Sequence, residues 1–200
     1  DRNHNPEFTM LEFYSAYDDI HDMINITESL IKHVAKTIKY DDKKIQFDKK
    51  FKVLSFYNSL DKLSKQQISS MESKELYKLL KKQGITLDKK SNKAKLLDKA
   101  FSHYVEPLLI EPTFVIDYPK ELSPLAKNLR DDDSSSLVER FELFIDGMEI
   151  ANAFSELNDP LEQRMRLEEQ AKLRELGDDE AQVLDEDFLE ALETGMPPTG

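Results

Sequence analysis

Val138-Glu139-Arg140-Phe141-Glu142-Leu143-Phe144-Ile145-Asp146-Gly147-Met148-Glu149-Ile150-Ala151-Asn152-Ala153-Phe154-Ser155-Glu156-Leu157 is the stretch on which the fold turns. Its two runs, Val138–Ile145 and Met148–Leu157, flank Asp146-Gly147, a dipeptide suited to the positive φ of a two-residue hairpin turn. The pair therefore reads as an antiparallel hairpin, and Thr113–Tyr118 as a further strand. Far upstream, residues 5–17 alternate, with Phe8, Met10, Glu12 and Tyr14 on one face and Thr9, Leu11 and Phe13 on the other. Both faces are largely apolar, which predicts a central strand covered on both sides. A short strand pair is expected near 44–54.

Helical patterns lie between and after these strands. Ile20, Met23, Ile24, Ile26, Thr27, Leu30, Ile31 and Val34 recur at helical spacing and predict an amphipathic helix over about 19–39. From about 56 the pattern is helical again. Ser73 starts a short helix stopped at Gly84, and Ser91 opens another that runs through Phe101 and closes at Pro107. Residues 127–136 read as a mobile loop. Asp159 caps a helix with Pro160 in its first position, ending at Gly177, and an acidic helix near 185–194 ends at Gly195. Strands separated by helices in this order indicate an α+β fold, an antiparallel β-sheet with flanking helices. Three stretches are expected: 1–55, a Lys-rich helical insert over 56–107, and 108–200.

Composition narrows the chemistry. The 200 residues contain no Cys, which excludes disulfides and thiolate metal sites and suits a reducing cytoplasm. His4, His21, His33 and His103 show no zinc-ligand spacing. The five glycines form neither a dinucleotide fingerprint nor a phosphate loop. No apolar run approaches the ~20 residues of a membrane span, and no apolar signal segment opens the chain, so its start is expected to be an excised boundary. Charge is uneven: residues 32–103 hold 19 Lys against 8 acids, while the remainder holds 9 basic residues against 32 acids. A basic region of this kind could face nucleic-acid phosphate. A solvated helical insert is the preferred reading, because the region has no Arg and no cluster of aromatics for base stacking.

Two groups of residues suggest a binding site. Glu12 and Tyr14, two apart on one strand face, direct a carboxylate and a phenolic hydroxyl at the same space, an arrangement suited to an ammonium group. A structural salt bridge to a neighbouring strand would explain the same spacing. Asn152, Phe154 and Glu156 share a face by period two and again set an acid beside an aromatic. An acid opposite a cationic ligand discriminates well, since a neutral analogue leaves it unpaired. The alternative makes Phe154 core and its neighbours strand-edge polar residues. Glu142 and Glu149 are two further carboxylates, but in an unbroken strand Glu149 points away from Asn152, Phe154 and Glu156. A bulge or twist around Ile150-Ala151 is therefore required if both sets serve one site.

The string Arg2-Asn3-His4-Asn5-Pro6-Glu7-Phe8-Thr9-Met10-Leu11-Glu12-Phe13-Tyr14, together with Glu111-Pro112-Thr113-Phe114-Val115-Ile116-Asp117-Tyr118-Pro119, Ser123-Pro124-Leu125-Ala126-Lys127 and Glu149–Asp159, resembles class II lysyl-tRNA synthetase. The resemblance covers the catalytic core from motif 2 to just before motif 3. It implies a partial domain of the class II aminoacyl-tRNA synthetase type and a lysine–tRNA ligase activity. Lysine would be bound by Glu12, Tyr14, Asn152, Phe154 and Glu156, with Glu156 on the ε-ammonium. ATP would meet His4, Asn5, Phe8 and Glu142, with Glu7 in the same loop and Arg2 a weaker contact. Mg²⁺ would be held by Glu142 and Glu149. No catalytic nucleophile is implied, because the lysine carboxylate itself attacks the α-phosphate. The implied partners are ATP, L-lysine and tRNA(Lys), in a homodimer with no membrane association.

The family's motif 2 arginine, motif 1 and motif 3 fall outside this sequence, so the stretch alone is expected to make no appreciable adenylate. Thr194, Ala151 and Ala153 depart from the family's usual residues without touching the implied chemistry. A paralogue that modifies elongation factor P shares the HNPEFTMLE strand, but the Ser155–Asp159 string and Tyr17 disfavour it. Aspartyl- and asparaginyl-type relatives would need a cationic pocket, which Glu12 and Glu156 argue against. A non-catalytic binding or assembly role is a further alternative.

Overall fold

The computed structural model describes residues 5–41, 44–88, 91–130, 136–178 and 181–200. The hairpin is formed by β3 (Leu137–Ile145) and β4 (Met148–Phe154), with Asp146 and Gly147 both at positive φ. β2 (Thr113–Pro119) pairs antiparallel with β3, and β1 (Lys52–Ser55) pairs with β2. That last pairing is parallel, so the four strands, in the order β1-β2-β3-β4, make a mixed sheet rather than an all-antiparallel one. The strand pair expected near 44–54 is a single strand, because Lys52–Ser55 finds its partner in Thr113–Ile116 rather than in its own neighbourhood.

The larger departure concerns residues 5–14. Their alternation predicts a doubly covered central strand, yet they form no ladder and are exposed, with Phe8 76% and Tyr14 71% accessible. No other segment among the described residues lies alongside to accept their backbone groups, and a strand pattern without neighbours has nothing to pair with. Pairing begins only at Ser15, whose N–H and C=O exchange hydrogen bonds of 2.9 and 3.1 Å with Gly200.

Helices pack on both faces of the sheet. One face carries α1 (Ile20–Thr37), which starts at an Asp19 capping box and presses Ile20 and Met23 onto Phe114, Phe141 and Leu143. Phe114 and Phe141 meet edge to face at 4.9 Å, a contact worth about 1 kcal/mol beyond burial. The other face carries α2 (Phe56–Ser64), α3 (Ser73–Lys82) and α4 (Lys93–Tyr104), whose Phe56, Leu60, Leu76, Leu80, Leu97 and Phe101 bury against Val115, Tyr118, Val138 and Phe144. Glu72, not Ser73, caps α3, and Asn92, not Ser91, caps α4. Both corrections shift a boundary by one residue, within the ordinary uncertainty of helix ends.

Past the hairpin, α5 (Pro160–Glu175) is capped by Asp159 and stopped at Gly177, and α6 (Glu186–Thr194) is capped by Asp185. A buried Arg166 on α5 donates to the Ala126 carbonyl at 2.6 Å and to Asn128 at 2.9 Å, holding part of the loop after β2 against the helix. Residues 131–135 of the segment expected to be a loop lie outside the described residues. Among the described residues no helix is long and apolar enough to cross a membrane.

Candidate functional site

The site is assembled on one face of the hairpin. Residues opposite one another in an antiparallel pair project to the same side. Arg140 opposes Phe154, Glu142 opposes Asn152, and Phe144 opposes Glu149. The register slips between Leu143, which faces Ala151, and Phe144, which faces Glu149, so Ile150 is the extra residue of a β-bulge. In an unbulged strand of the same residues, period two would turn Glu149 to the side of Ala151 and Ala153, which pack with Phe141 and Leu143. The bulge thus falls where the parity of Glu149 required one, and it brings Glu142, Glu149, Asn152 and Phe154 to a common face. Phe154 is half-buried against the Val115–Tyr118–Phe144 core, whereas Asn152 and Glu149 stand at the solvent-open rim.

Arg140 organises this face. Its guanidinium pairs with Glu142, donates to Asn152 Oδ1 at 3.1 Å and is anchored on the Leu122 carbonyl at 2.8 Å and Ser123 Oγ at 2.9 Å. It also lies 4.8 Å from the centre of the Tyr118 ring, a cation–π contact. Tyr118 Oη donates to Glu142 Oε2 at 2.8 Å. Both carboxylate oxygens of Glu142 are therefore engaged, and its rotamer is held. Burial raises the Glu142 carboxyl above its ordinary value, with Arg140 and the Tyr118 hydroxyl opposing. Burial by the protein behind it, and then the charge of Glu142, push Glu149 up to about 7. Glu106, hydrogen-bonded by Ser102 Oγ at 2.7 Å, is raised by burial and adds further negative potential.

Glu156 lies beyond the end of β4. It forms an isolated bridge with Ala126, and its N–H donates to the Thr199 carbonyl at 2.9 Å. Its half-buried carboxyl has no ion-pair or hydrogen-bond partner among the described residues, and burial alone pushes it up to about 7. The neighbouring Ser155 points the other way, where its Oγ accepts from the Ile20 N–H at 3.0 Å and fixes the start of α1 to the hairpin.

The two predicted halves of the site are tethered but not joined. Thr199, hydrogen-bonded to Glu156, also bridges Ala16, so the chain carrying Glu12 and Tyr14 departs two backbone spacings from Glu156, or roughly 10 Å. The side chains of Glu12, Tyr14 and Phe8 are exposed and form no hydrogen bond or ion pair with the Glu142–Glu156 face among the described residues. Asn5 donates only to its own Glu7 carbonyl, at 2.7 Å. His4 and Arg2 lie outside the described residues.

Arg140 and Tyr118 were not legible as site residues from sequence. The available signal was an arginine two residues before Glu142 in a strand that is otherwise mostly apolar. Such a charge needs a partner, and the same face of the same strand supplies it.

A divalent cation fits the donor set. Glu142 is a desolvated carboxyl paired with Arg140, Glu149 stands beside it at the rim, and each engaged oxygen of Glu142 keeps a second lone pair. No group of three or more acids or histidines with metal-holding geometry occurs among the described residues, so the remaining ligands of such an ion would be water or substrate oxygens.

Over residues 1–200 the sequence matches the family model described as tRNA synthetases class II (D, K and N). It is 48% identical over 205 residues to a lysine–tRNA ligase of Christiangramia forsetii, an alignment covering 100% of this chain and 36% of that protein. It is 47% identical over 207 residues to a lysine–tRNA ligase of Aquifex aeolicus, covering 100% and 34%, and 44% identical over 205 residues to one of Porphyromonas gingivalis, covering 100% and 35%. The chain thus spans about a third of the length of these relatives.

Proposed function

Since the chain belongs to the class II tRNA synthetases of the D, K and N group, we propose that its protein is a lysine–tRNA ligase and that these residues are part of its catalytic region. Residues 1–55 and 108–200 form the core of that region, with 56–107 as a helical insert. The protein would activate L-lysine with ATP and transfer the lysyl group to tRNA(Lys). Within a group that handles aspartate, lysine and asparagine, one observation favours lysine. Glu156 is a half-buried carboxyl with no cationic partner among the described residues, on the face lined by Asn152 and Phe154. Burying a carboxylate without a counter-charge is costly, and an ε-ammonium supplies the missing charge.

In the first half-reaction a lysine carboxylate oxygen attacks the ATP α-phosphorus. The bond to the bridging oxygen breaks, pyrophosphate leaves and lysyl-adenylate forms. In the second, a terminal tRNA hydroxyl attacks the lysyl carbonyl and AMP leaves. No enzyme nucleophile is involved, so the residues act by holding and by balancing charge. Phe154 and Asn152 would flank the lysine side chain, with Glu156 at its ammonium. Glu12 and Tyr14 would close the pocket from the segment tethered at Ser15–Gly200. His4, Asn5 and Phe8 would contact ATP, with Phe8 on the adenine. Arg140 and Tyr118 hold Glu142, which would face the triphosphate. Glu142 and Glu149 would hold Mg²⁺, which when bound neutralises charge on the phosphate oxygens. The intact protein would act as a homodimer in the cytoplasm.

Calorimetric titration of the protein with L-lysine, against norleucine as the uncharged control, tests the specificity. Selective binding of lysine is expected. Equal binding of the two, or preference for aspartate or asparagine, would refute the lysine assignment.

A further inference from the structure

α3 carries a charge pattern that the ligase reading leaves unused. Lys74, Lys78, Lys81 and Lys82 are exposed, and with Tyr77 they line an open hollow of about 530 Å³. At 100° per residue the five positions fall within an arc of about 140°, opposite the buried Leu76 and Leu80. No acid shares the arc. Glu75, at its margin, is engaged in the capping box with Glu72. None of the four lysines forms an ion pair among the described residues, and Lys81 lies 5.8 Å from the centre of the Tyr77 ring. The absence of Arg and of clustered aromatics over residues 32–103 favours a merely solvated insert. The fold sets Tyr77 at one edge of the face, half-buried against the core and beside Lys81.

We infer that this face of α3 docks RNA, its lysines on backbone phosphates and Tyr77 as a stacking surface for an unpaired base. The inference rests on the ligase reading, which makes tRNA the RNA at hand. Outside residues 32–103 the chain carries 9 basic residues against 32 acids, so a polyanion is repelled from most of the surface and admitted at the basic stretch that contains α3. Lysine ammoniums are point charges without the planar fork of arginine, which suits phosphate positioning rather than base reading. An aromatic ring set among cations adds affinity for unpaired bases with little sequence preference.

Fluorescence anisotropy of a tRNA(Lys) transcript with the intact protein, from 50 to 200 mM salt, tests this. The quadruple variant K74Q/K78Q/K81Q/K82Q changes only exposed side chains, and its fold is checked by circular dichroism and by L-lysine titration. It should bind tRNA at least tenfold more weakly at about 100 mM salt, with a log–log salt slope shallower by roughly three, as expected for four lost phosphate contacts. The quadruple Arg variant should restore binding. Tyr77→Leu should weaken it several-fold where Tyr77→Phe does not. Wild-type affinity and slope in the quadruple Gln variant would overturn the inference and leave the ligase reading standing. Failure of the wild type to bind either L-lysine or tRNA would overturn both. Inorganic polyphosphate binding as tightly per phosphate as tRNA, with no effect of Tyr77→Leu, would reassign the face to simple polyanions and overturn the RNA assignment.

Discussion

Replacing Glu156 by Gln should make the protein more stable and less able to bind lysine. The carboxyl is half-buried, and burial, with no opposing cation among the described residues, moves it from 4.5 to about 7. For an acid whose folded value is raised, the native state holds its proton more tightly than the unfolded chain does. Stability from this group is then complete below the unfolded value and is lost as pH rises through the folded one. At 1.36 kcal/mol per unit, the shift corresponds to about 3 kcal/mol at most, and solvent access to the carboxyl reduces this to about 1–2 kcal/mol.

Glu156→Gln removes that cost. Urea denaturation should show the variant more stable than wild type by about 1–2 kcal/mol at pH 8 and equal to it near pH 4, with the difference growing across the window from 4.5 to about 7. Lysine affinity should move the opposite way. A charge-assisted hydrogen bond of about 1.5–3 kcal/mol is lost, so the dissociation constant should rise roughly 10- to 150-fold at pH 8. Norleucine binding should not weaken, because the neutral amide leaves no carboxylate unpaired opposite it. A variant less stable than wild type at pH 8, or a stability difference independent of pH, would mean that Glu156 is satisfied by the fold and would refute the argument.

Other outcomes follow from the same geometry. Arg140→Met strips the counter-charge from Glu142, whose side chain is only 14% exposed, and should cost about 3 kcal/mol by denaturant melts, with Glu142→Gln in the same background recovering part of it. Phe141→Ala empties a fully buried position against Phe114 and should cost 3–5 kcal/mol, roughly, without changing the pH dependence of lysine binding. Mn²⁺ binding, followed by electron paramagnetic resonance, should strengthen as pH rises through about 7, because Glu149 must lose its proton, and Glu149→Gln should abolish that pH dependence. Deleting Ile150 should regularise β4 while leaving Glu149 opposite Phe144 on the face of Asn152 and Phe154, so Mn²⁺ binding should be retained in that variant.

The sequence by itself determined whatever depends on local period and capping. The Asp146-Gly147 turn, the three strands from Thr113 to Phe154, the Asp159–Pro160 helix start and the Gly177 stop are written in neighbouring residues, and each formed close to its expected place, the last strand ending three residues short of Leu157. The shared face of Asn152 and Phe154 follows from period two alone. Even the need for a bulge near Ile150 was legible, since parity demanded it.

Tertiary structure decided what depends on residues far apart in the chain. That Lys52–Ser55 runs parallel to β2 is a matter of which strand lies nearest in space, and no local signal encodes it. The alternation of residues 5–14 could not become a strand here, because a strand exists only with a partner to accept its hydrogen bonds. Arg140 became the organiser of the site through Leu122, Ser123, Tyr118 and Asn152, drawn from three separate segments. The isolation of Glu156 is likewise a property of its surroundings: burial, which raises its pKa, and the lack of a cationic partner among the described residues are set by packing and not by the residues on either side.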